Sequence, residues 1–518
     1  MKNILKISLF VASFLMIACS KDNNNNNHVE TLDAIAPVKL LKATATTVEN
    51  ELMVQWTNPT ANSVSKVEIS YSTMAKALST SPNPIIVNAE SGKTGSVKIM
   101  LPQSIKYFVS AVSISVTGER SEAVTTDATP YDGTEEPIEE EPIPVFLGRA
   151  DTLISSMINL MFGGPRNVWN SSYPKATGPY WDGDAMVWGQ GGAFSGYAAI
   201  REAATGTHLE SKYANLENRM FNGMEAFITN DNGLGAYACY PASGNDRYYD
   251  DNIWIGIDMV DLYELTGNPR YLERAKMVWR LVLDGTDNLT GGGVHWREKP
   301  KTQSKHACST APASVLGSKL HKATNEMSYL QSAKDYYNWM VSVLQDPADY
   351  LVWDNAYHKD NNPALEVEIA KQKYSYNSGQ LMQAAVLLYN ITGDANYLTN
   401  AQNIANASYS RWFVPYHSSV LGETFRILEP TGGDGFWFLS VMVRGYIDLY
   451  KVDGNREYVD AIEKSLTNGW LTNCRNKQNH LMSGNLKGDK TETSWPIIQE
   501  GAALEMLARI AALERDGL

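Results

Sequence analysis

The sequence predicts an all-α domain closed into an (α/α)6 barrel, preceded by a small all-β sandwich. Three observations predict it. From about residue 146, an apolar helix ending in a Gly turn recurs with a period of roughly sixty residues. Two helix types alternate there, one apolar nearly all round and one apolar along a single stripe. Ahead of that region, short runs alternate apolar and polar residues with strand periodicity.

Residues 1–18 read as an export signal. Lys2 and Lys6 make a basic start, Ile7 to Ile17 an apolar run, and Ala18-Cys19 a small-residue cleavage site. The run is too short to span a bilayer. Cys19 resembles the lipidated Cys of a bacterial lipobox, and Ser20 and Asp22 resemble the surface-export signals of Bacteroidetes lipoproteins. The expectation is lipidation at Cys19, an outer-membrane anchor facing the cell surface or the periplasm, and a polar tether over 19–34. An ordinary secretory signal with an incidental Cys is the alternative. Cys239, Cys308 and Cys474 remain, an odd count that fits no disulfide framework and no zinc spacing.

Residues 35–130 carry the strand pattern. Leu52 to Trp56, Val67 to Tyr71 and Tyr107 to Val112 alternate, as a β-sandwich requires. The early Trp and the Tyr107 run resemble a fibronectin type III module. Residues 131–145 are an acidic, Pro-rich linker, because like charges repel and prolines stiffen.

Residues 146–518 carry the helical repeat. Helices stop at Thr205-Gly206, Thr266-Gly267, Thr392-Gly393 and Asp453-Gly454, with weaker copies near 311–324 and 497–514. Partner helices often open on Tyr-Leu followed by Ala, as at Tyr271, Tyr329 and Tyr397. Tyr271, Ala275, Val278, Trp279 and Val282 form one stripe, so that helix lies outside; Gly379 to Tyr389 is apolar nearly all round, so that helix lies inside. Six inner and six outer helices close as a barrel. An open TPR-like solenoid is the alternative, with a shorter period near 34 residues.

Inner-to-outer turns are short and outer-to-inner connections long, near 163–190, 230–250, 286–310, 346–377, 415–435 and 475–496. These six loops must gather on one rim, where function concentrates. Their ends bring Trp181-Asp182 and Trp188 with Gln190, then Tyr249-Asp250-Asp251 with Trp254. They also bring His295-Trp296, Tyr376-Asn377, Asp434 with Phe436, and Trp495. Aromatic faces beside polar groups suit a sugar chain. Glycosidic cleavage needs two carboxyl groups, which the Asp pair offers. Singly, Asp before a helix is more often an N-cap and Trp more often packing.

Asp250-Asp251 with Trp254, Trp188-x-Gln190-Gly191-Gly192-Ala193, Gly292-Gly293-x-x-Trp296 and Tyr376-Asn377-Ser378-Gly379-Gln380 together resemble glycoside hydrolase family 76. The resemblance covers most of residues 146–514. It implies an (α/α)6 endo-α-1,6-mannanase with retaining chemistry, Asp250 as nucleophile and Asp251 as acid/base. It implies α-mannan or manno-oligosaccharide as partner; no cofactor is expected, and the eight scattered His lack ligand spacing, so no metal is expected. The expected sugar contacts are Trp188, Gln190, Tyr249, Trp254, His295, Trp296, Tyr376, Asn377, Asp434, Phe436 and Trp495.

Elementary geometry is compatible with that assignment. Neighbouring Cα atoms are about 3.8 Å apart, and two such carboxylates reach the roughly 5–5.5 Å retaining separation more easily than the inverting one. A net charge of −13 excludes nucleic acid as partner. The chain holds 27 Tyr and 13 Trp, a lean toward wet polar ligands. A monomer is expected. Two competing functions stand: another (α/α)6 carbohydrate-active enzyme, and a non-catalytic surface glycan-binding lipoprotein.

Overall fold

The computed structural model describes residues 35–518 except 47, 61–63, 81–82, 132–142, 165, 177–182 and 243. The expected signal peptide, Cys19, the expected tether, most of the acidic linker and Trp181-Asp182 lie outside the described residues. Two compact units are present, divided between residues 139 and 140.

The first unit is a small β region. Its strands are β1 (Lys39–Ala45), β2 (Glu51–Thr57), β3 (Val64–Ser72), β4 (Ile85–Asn88), β5 (Thr94–Met100), β6 (Tyr107–Ser115) and β7 (Val124–Ala128). They form two antiparallel sheets, β1-β2-β5 and β4-β3-β6-β7. Strand β2 buries Leu52, Val54 and Trp56 and exposes Gln55, the alternation the sequence shows. Both sheets contribute to one apolar cluster, with Val67, Ile69, Tyr107 and Val109 from the second. The Trp56 indole N–H donates to Asn58 Oδ1 at 2.7 Å, and Gly95 leaves room for the ring.

The second unit is helical. Its elements are α1 (Val145–Met161), α2 (Val187–Ala203), α3 (Glu210–Glu225), α4 (Tyr249–Thr266), α5 (Pro269–Asp284) and α6 (Ala307–Thr324). They continue as α7 (Met327–Trp339), α8 (Ser375–Thr392), α9 (Ala395–Trp412), α10 (Phe436–Asp453), α11 (Glu457–Leu471) and α12 (Ile497–Asp516). The even-numbered helices touch in the cyclic order α2-α4-α6-α8-α10-α12, and α12 packs back on α2. Each is followed by an outer partner that packs against it, and α1 packs on α12. Helix α5 buries the expected stripe, Tyr271, Ala275, Val278, Trp279 and Val282. The ring helices are buried on nearly every face of their middle turns, so their apolarity all round has a physical cause.

Small residues let the ring close tightly. A Cβ on Gly501 of α12 would strike the backbone of Gly192 in α2, and one on Gly379 of α8 would strike Met442 of α10. Left-handed caps end the ring helices at Gly267, Gly393, Gly454 and Gly517, and Asn325 does the same for α6. Helix α2 departs from the expected Thr205-Gly206 stop, ending at Ala203 with Gly206 left-handed beyond it.

The long connections also depart from the expectation of plain loops. Antiparallel hairpins occupy 228–231 with 234–237, 353–358 with 367–373, and 413–418 with 423–428. Strand 304–306 adds to the second of these, and 172–173 pairs with 495–496. Ladder bonds satisfy rim backbone groups that a bare loop would leave to solvent.

Candidate active site

The helical frame sets the site. The first residue of each ring helix turns back into the core: Val187, Tyr249, Ala307, Ser375, Phe436 and Ile497 are all nearly inaccessible. The second residues are Trp188, Asp250, Cys308, Tyr376, Trp437 and Ile498. Four of these six, Trp188, Asp250, Tyr376 and Trp437, line one cleft of about 360 Å3 at the N-terminal end of the ring. Cys308 lies against Asp250 and Tyr376, and Ile498 reaches toward Gly192 beside Trp437. One turn further along α4, Trp254 completes the floor, and Met186, Tyr248, Trp296 and Phe438 complete the wall.

The Asp pair is not an N-cap. Tyr248 holds the cap position of α4, and no side chain makes a capping bond there. Asp250 Oδ1 accepts from the Asp251 backbone N–H at 3.0 Å, and Oδ2 accepts from the Trp296 indole N–H at 3.1 Å. Burial pushes Asp250 up to about 6. Burial and the neighbouring Asp250 charge push Asp251 well above the ordinary carboxylate range. No Lys or Arg lines this cleft among the described residues. Two adjacent carboxyls therefore share one cleft with their ionisations split, one losing its proton well before the other.

Aromatic rings brace one another around the pair. Trp437 stands edge-on to Trp188 and to Trp254, with centroids 5.8 and 5.4 Å apart. Tyr376 stacks on Phe438 at 4.0 Å. The Trp437 indole N–H is buried without a protein acceptor.

Of the expected sugar contacts, Trp188, Trp254, Trp296 and Tyr376 come together on the cleft. The others sit behind it or beside it. Gln190 spends its whole amide on loop one, donating to the Trp169 and Ala185 carbonyls at 2.9 and 3.1 Å and accepting from the Trp169 N–H. Tyr249 faces inward and donates to Asp284 at 2.8 Å. His295 is buried against Asp287 at 2.7 Å, and Asp287 also takes Lys305 at 2.8 Å. Asn377 lies buried beside Asp354. Asp434 accepts from the Ser375 N–H at 3.0 Å, capping α8 from a neighbouring strand of chain. Asp434 and Phe436 border a separate polar cleft between the 428–436 and 484–499 segments. Trp495 is buried against Tyr173.

Residues in or beside the cleft that were not among the expected sugar contacts are Trp437, Phe438, Tyr248, Met186 and Asp354. Counting from Asp250 as second residue of its helix singles out Trp437. Asp354 lies on the 353–358 strand, where burial raises its carboxyl and the Cys308 and Tyr376 groups feel its charge. It sits inside what reads as a long loop.

Comparison with known proteins agrees with this geometry. The family model for glycosyl hydrolase family 76 matches residues 153–517. A family 76 glycoside hydrolase (mannosidase) from Bacteroides thetaiotaomicron VPI-5482 superposes with a TM-score of 0.70 at 46% identity, over 72% of this chain and 100% of that one. A second, from a bovine Bacteroides thetaiotaomicron strain, gives 0.69 at 36% identity over 93% of this chain and 100% of that one. A mannan endo-1,6-alpha-mannosidase of Candida albicans is 25% identical over 250 residues, 46% of this chain and 52% of that protein. The match spans 34% to 55% of the length of the curated relatives. On the match across the helical unit, the chain belongs to glycosyl hydrolase family 76.

Proposed function

We propose that this protein is a retaining endo-α-1,6-mannanase, built on an (α/α)6 barrel. The observation that carries the reading is the Asp250-Asp251 pair in an aromatic cleft with no facing cation. Asp250, the more easily ionised, attacks the anomeric carbon while the glycosidic C–O bond breaks. Asp251 gives its proton to the departing oxygen, then takes one from the water that hydrolyses the glycosyl ester. The positive end of α4 favours the carboxylate of Asp250. Trp188, Trp254, Trp296, Tyr376 and Trp437 offer ring faces and edges to the mannose units. Mannosidase and mannan endo-1,6-alpha-mannosidase are the names carried by relatives of this chain, and they support the substrate.

The remaining assignments follow the same reading. Residues 1–18 are the signal peptide, Cys19 carries the lipid, 19–34 is the tether and 131–145 the linker. The β unit over 35–130 is a fibronectin type III-like spacer, and 146–518 is the catalytic domain. The protein works as a monomer on the outer membrane.

The test is direct. The full chain is incubated with linear α-1,6-mannan, with product sizes followed by chromatography and the first-formed anomer by proton NMR. Mixed oligosaccharides appearing early, with the α anomer first, are expected. Mannose alone would mark an exo-enzyme, and the β anomer first a single displacement. Binding without products would mark a lectin.

A further inference from the structure

We infer that Trp296 is a positioning residue, whose indole N–H fixes the carboxylate of Asp250 and keeps it ionised. The inference rests on Asp250 being the nucleophile, as proposed above.

The placement of the indole is built from the backbone up. Trp296 takes the Tyr249 N–H on its carbonyl at 2.9 Å and gives its own N–H to Thr302 Oγ1 at 3.1 Å. Around it, Tyr248 bridges to Arg297, the Glu298 N–H donates to the Arg247 carbonyl at 3.0 Å, and the Arg247 guanidinium is paired with Glu298. The 294–298 segment is therefore laced onto the residues that lead directly into Asp250. The ring itself is held between Tyr248, with centroids 4.8 Å apart, and His306, stacked at 5.8 Å. A side chain so held delivers its N–H to one carboxylate oxygen, Oδ2, while the Asp251 backbone N–H takes the other. Both oxygens then have fixed directions, and the carboxylate plane cannot rotate freely toward the sugar.

The bond also acts on charge. Burial alone disfavours the ionised form, and an N–H aimed at an oxygen opposes it. The titratable groups facing Asp250 are Asp251 on α4, Cys308 on α6, Tyr376 on α8 and Cys239 ahead of α4. Burial raises Cys308, Tyr376 and Cys239, so all three stay neutral at assay pH. His306, pushed down to about 4 by burial, is neutral as well. Asp354, also raised by burial, acts on Cys308 and Tyr376, so the limb is assigned to Asp250 by substitutions at Trp296, which donates to Asp250.

The experiment replaces Trp296 in the full chain in two ways. Trp296→Phe keeps a ring between Tyr248 and His306, and a benzothienylalanine at the same position keeps the full bicyclic shape; both remove the N–H. For each, the expected result is an acid limb of kcat/KM moved up by about half to one pH unit. At pH 6, kcat should fall about two- to fivefold, with KM little changed in the benzothienyl protein, which keeps the ring face. A purely structural Trp would lower the folded fraction and leave the limb in place, and an unmoved limb in the benzothienyl protein would overturn the inference. A readout free of turnover accompanies it. The 15N-indole resonance of Trp296 should titrate near pH 6 in the wild type and lose that step in Asp250→Asn. An indole resonance flat through that range would also overturn it. If the wild type leaves mannan intact while the indole still titrates with Asp250, the substrate reading fails and the hydrogen bond stands.

Discussion

Helix α4 carries two sets of buried carboxyls that live under opposite rules. Asp250 and Asp251 sit in its first turn, facing aromatic rings and each other. Asp258 sits two turns further in, where the axis of the ring is filled with charge. Its carboxylate accepts from Ser195 and lies 3.5 Å from Arg444, which holds Glu505 at 2.7 Å; Glu505 in turn takes Arg509 at 2.8 Å. Burial raises all three aspartates, Asp258 to about 7. Desolvation therefore does not distinguish the site from the scaffold. What distinguishes them is the partner: the axis pairs Asp258 and Glu505 with Arg444, and among the described residues no Lys or Arg lines the rim cleft. The rim arrangement is costly for a folded protein and useful for proton chemistry.

The largest effect should come from breaking the rim. Asp250→Asn keeps one acceptor oxygen, for either the Asp251 or the Trp296 N–H, and cannot attack carbon. Hydrolysis of mannan should fall by about 10⁴-fold or more, because no other group substitutes for the nucleophile. The melting temperature should hold or rise, since a buried unpaired charge is gone. Residual activity within about tenfold of wild type would end the assignment.

Breaking the axis should do the reverse. Arg444→Met leaves Glu505 and Asp258 without their shared guanidinium. A loss of about 3–5 kcal/mol in urea unfolding is expected. Turnover per folded molecule should stay within a few-fold of wild type. A stability loss below about 1 kcal/mol would mean that Arg509 alone carries Glu505.

The seam between α2 and α12 links the two regions. Gly501→Ala places a methyl against the Gly192 carbonyl, in the turn below Trp188. Overpacking of this kind costs about 1–3 kcal/mol. Gly192→Ala meets Ile498 at 2.5 Å and the Trp437 indole at 3.3 Å, so it should raise KM through the cleft wall at little cost in stability. Equal effects of the two substitutions on KM would show that the seam and the wall move as one.

How much of this was legible from sequence follows the same division. The ring helices announce themselves by apolarity all round, and their outer partners by a single stripe such as that of Tyr271 and Trp279. Asp250-Asp251, Trp188, Trp254 and Tyr376, which line the cleft, stand out in the sequence because a chemical need and a repeated loop end coincide there. Tyr249 and Phe436 were taken for sugar contacts because a sequence does not print which residue opens a helix. One position earlier in the frame turns a side chain from the cleft into the core. Gln190 and His295 lie off the cleft for another reason. Both are polar groups at the rim, and only the fold reveals that Trp169, Ala185 and Asp287 already use them. Asp354 was missed because a hairpin inside a long connection leaves little periodicity to read.

The smallest effect tests whether Asp258 belongs wholly to the scaffold. Its carboxyl is raised from an ordinary unfolded value of about 3.9 to about 7 in the native protein, because burial outweighs the pull of Arg444. Between those values the native state binds the extra proton, so this group's contribution to stability is fully present below pH 4 and is lost as the pH climbs to 7. Asp258→Asn removes that dependence while keeping an acceptor for Ser195. The variant should melt near or below the wild type at pH 4 and gain on it steadily up to pH 7, where the difference levels off. Differential scanning across that range measures it, with Asp250→Asn as the matched rim control, whose gain should level off near pH 6. A difference that does not vary with pH would mean that Arg444 keeps Asp258 ionised throughout, and that the axis is a fully charged network rather than one holding a shared proton.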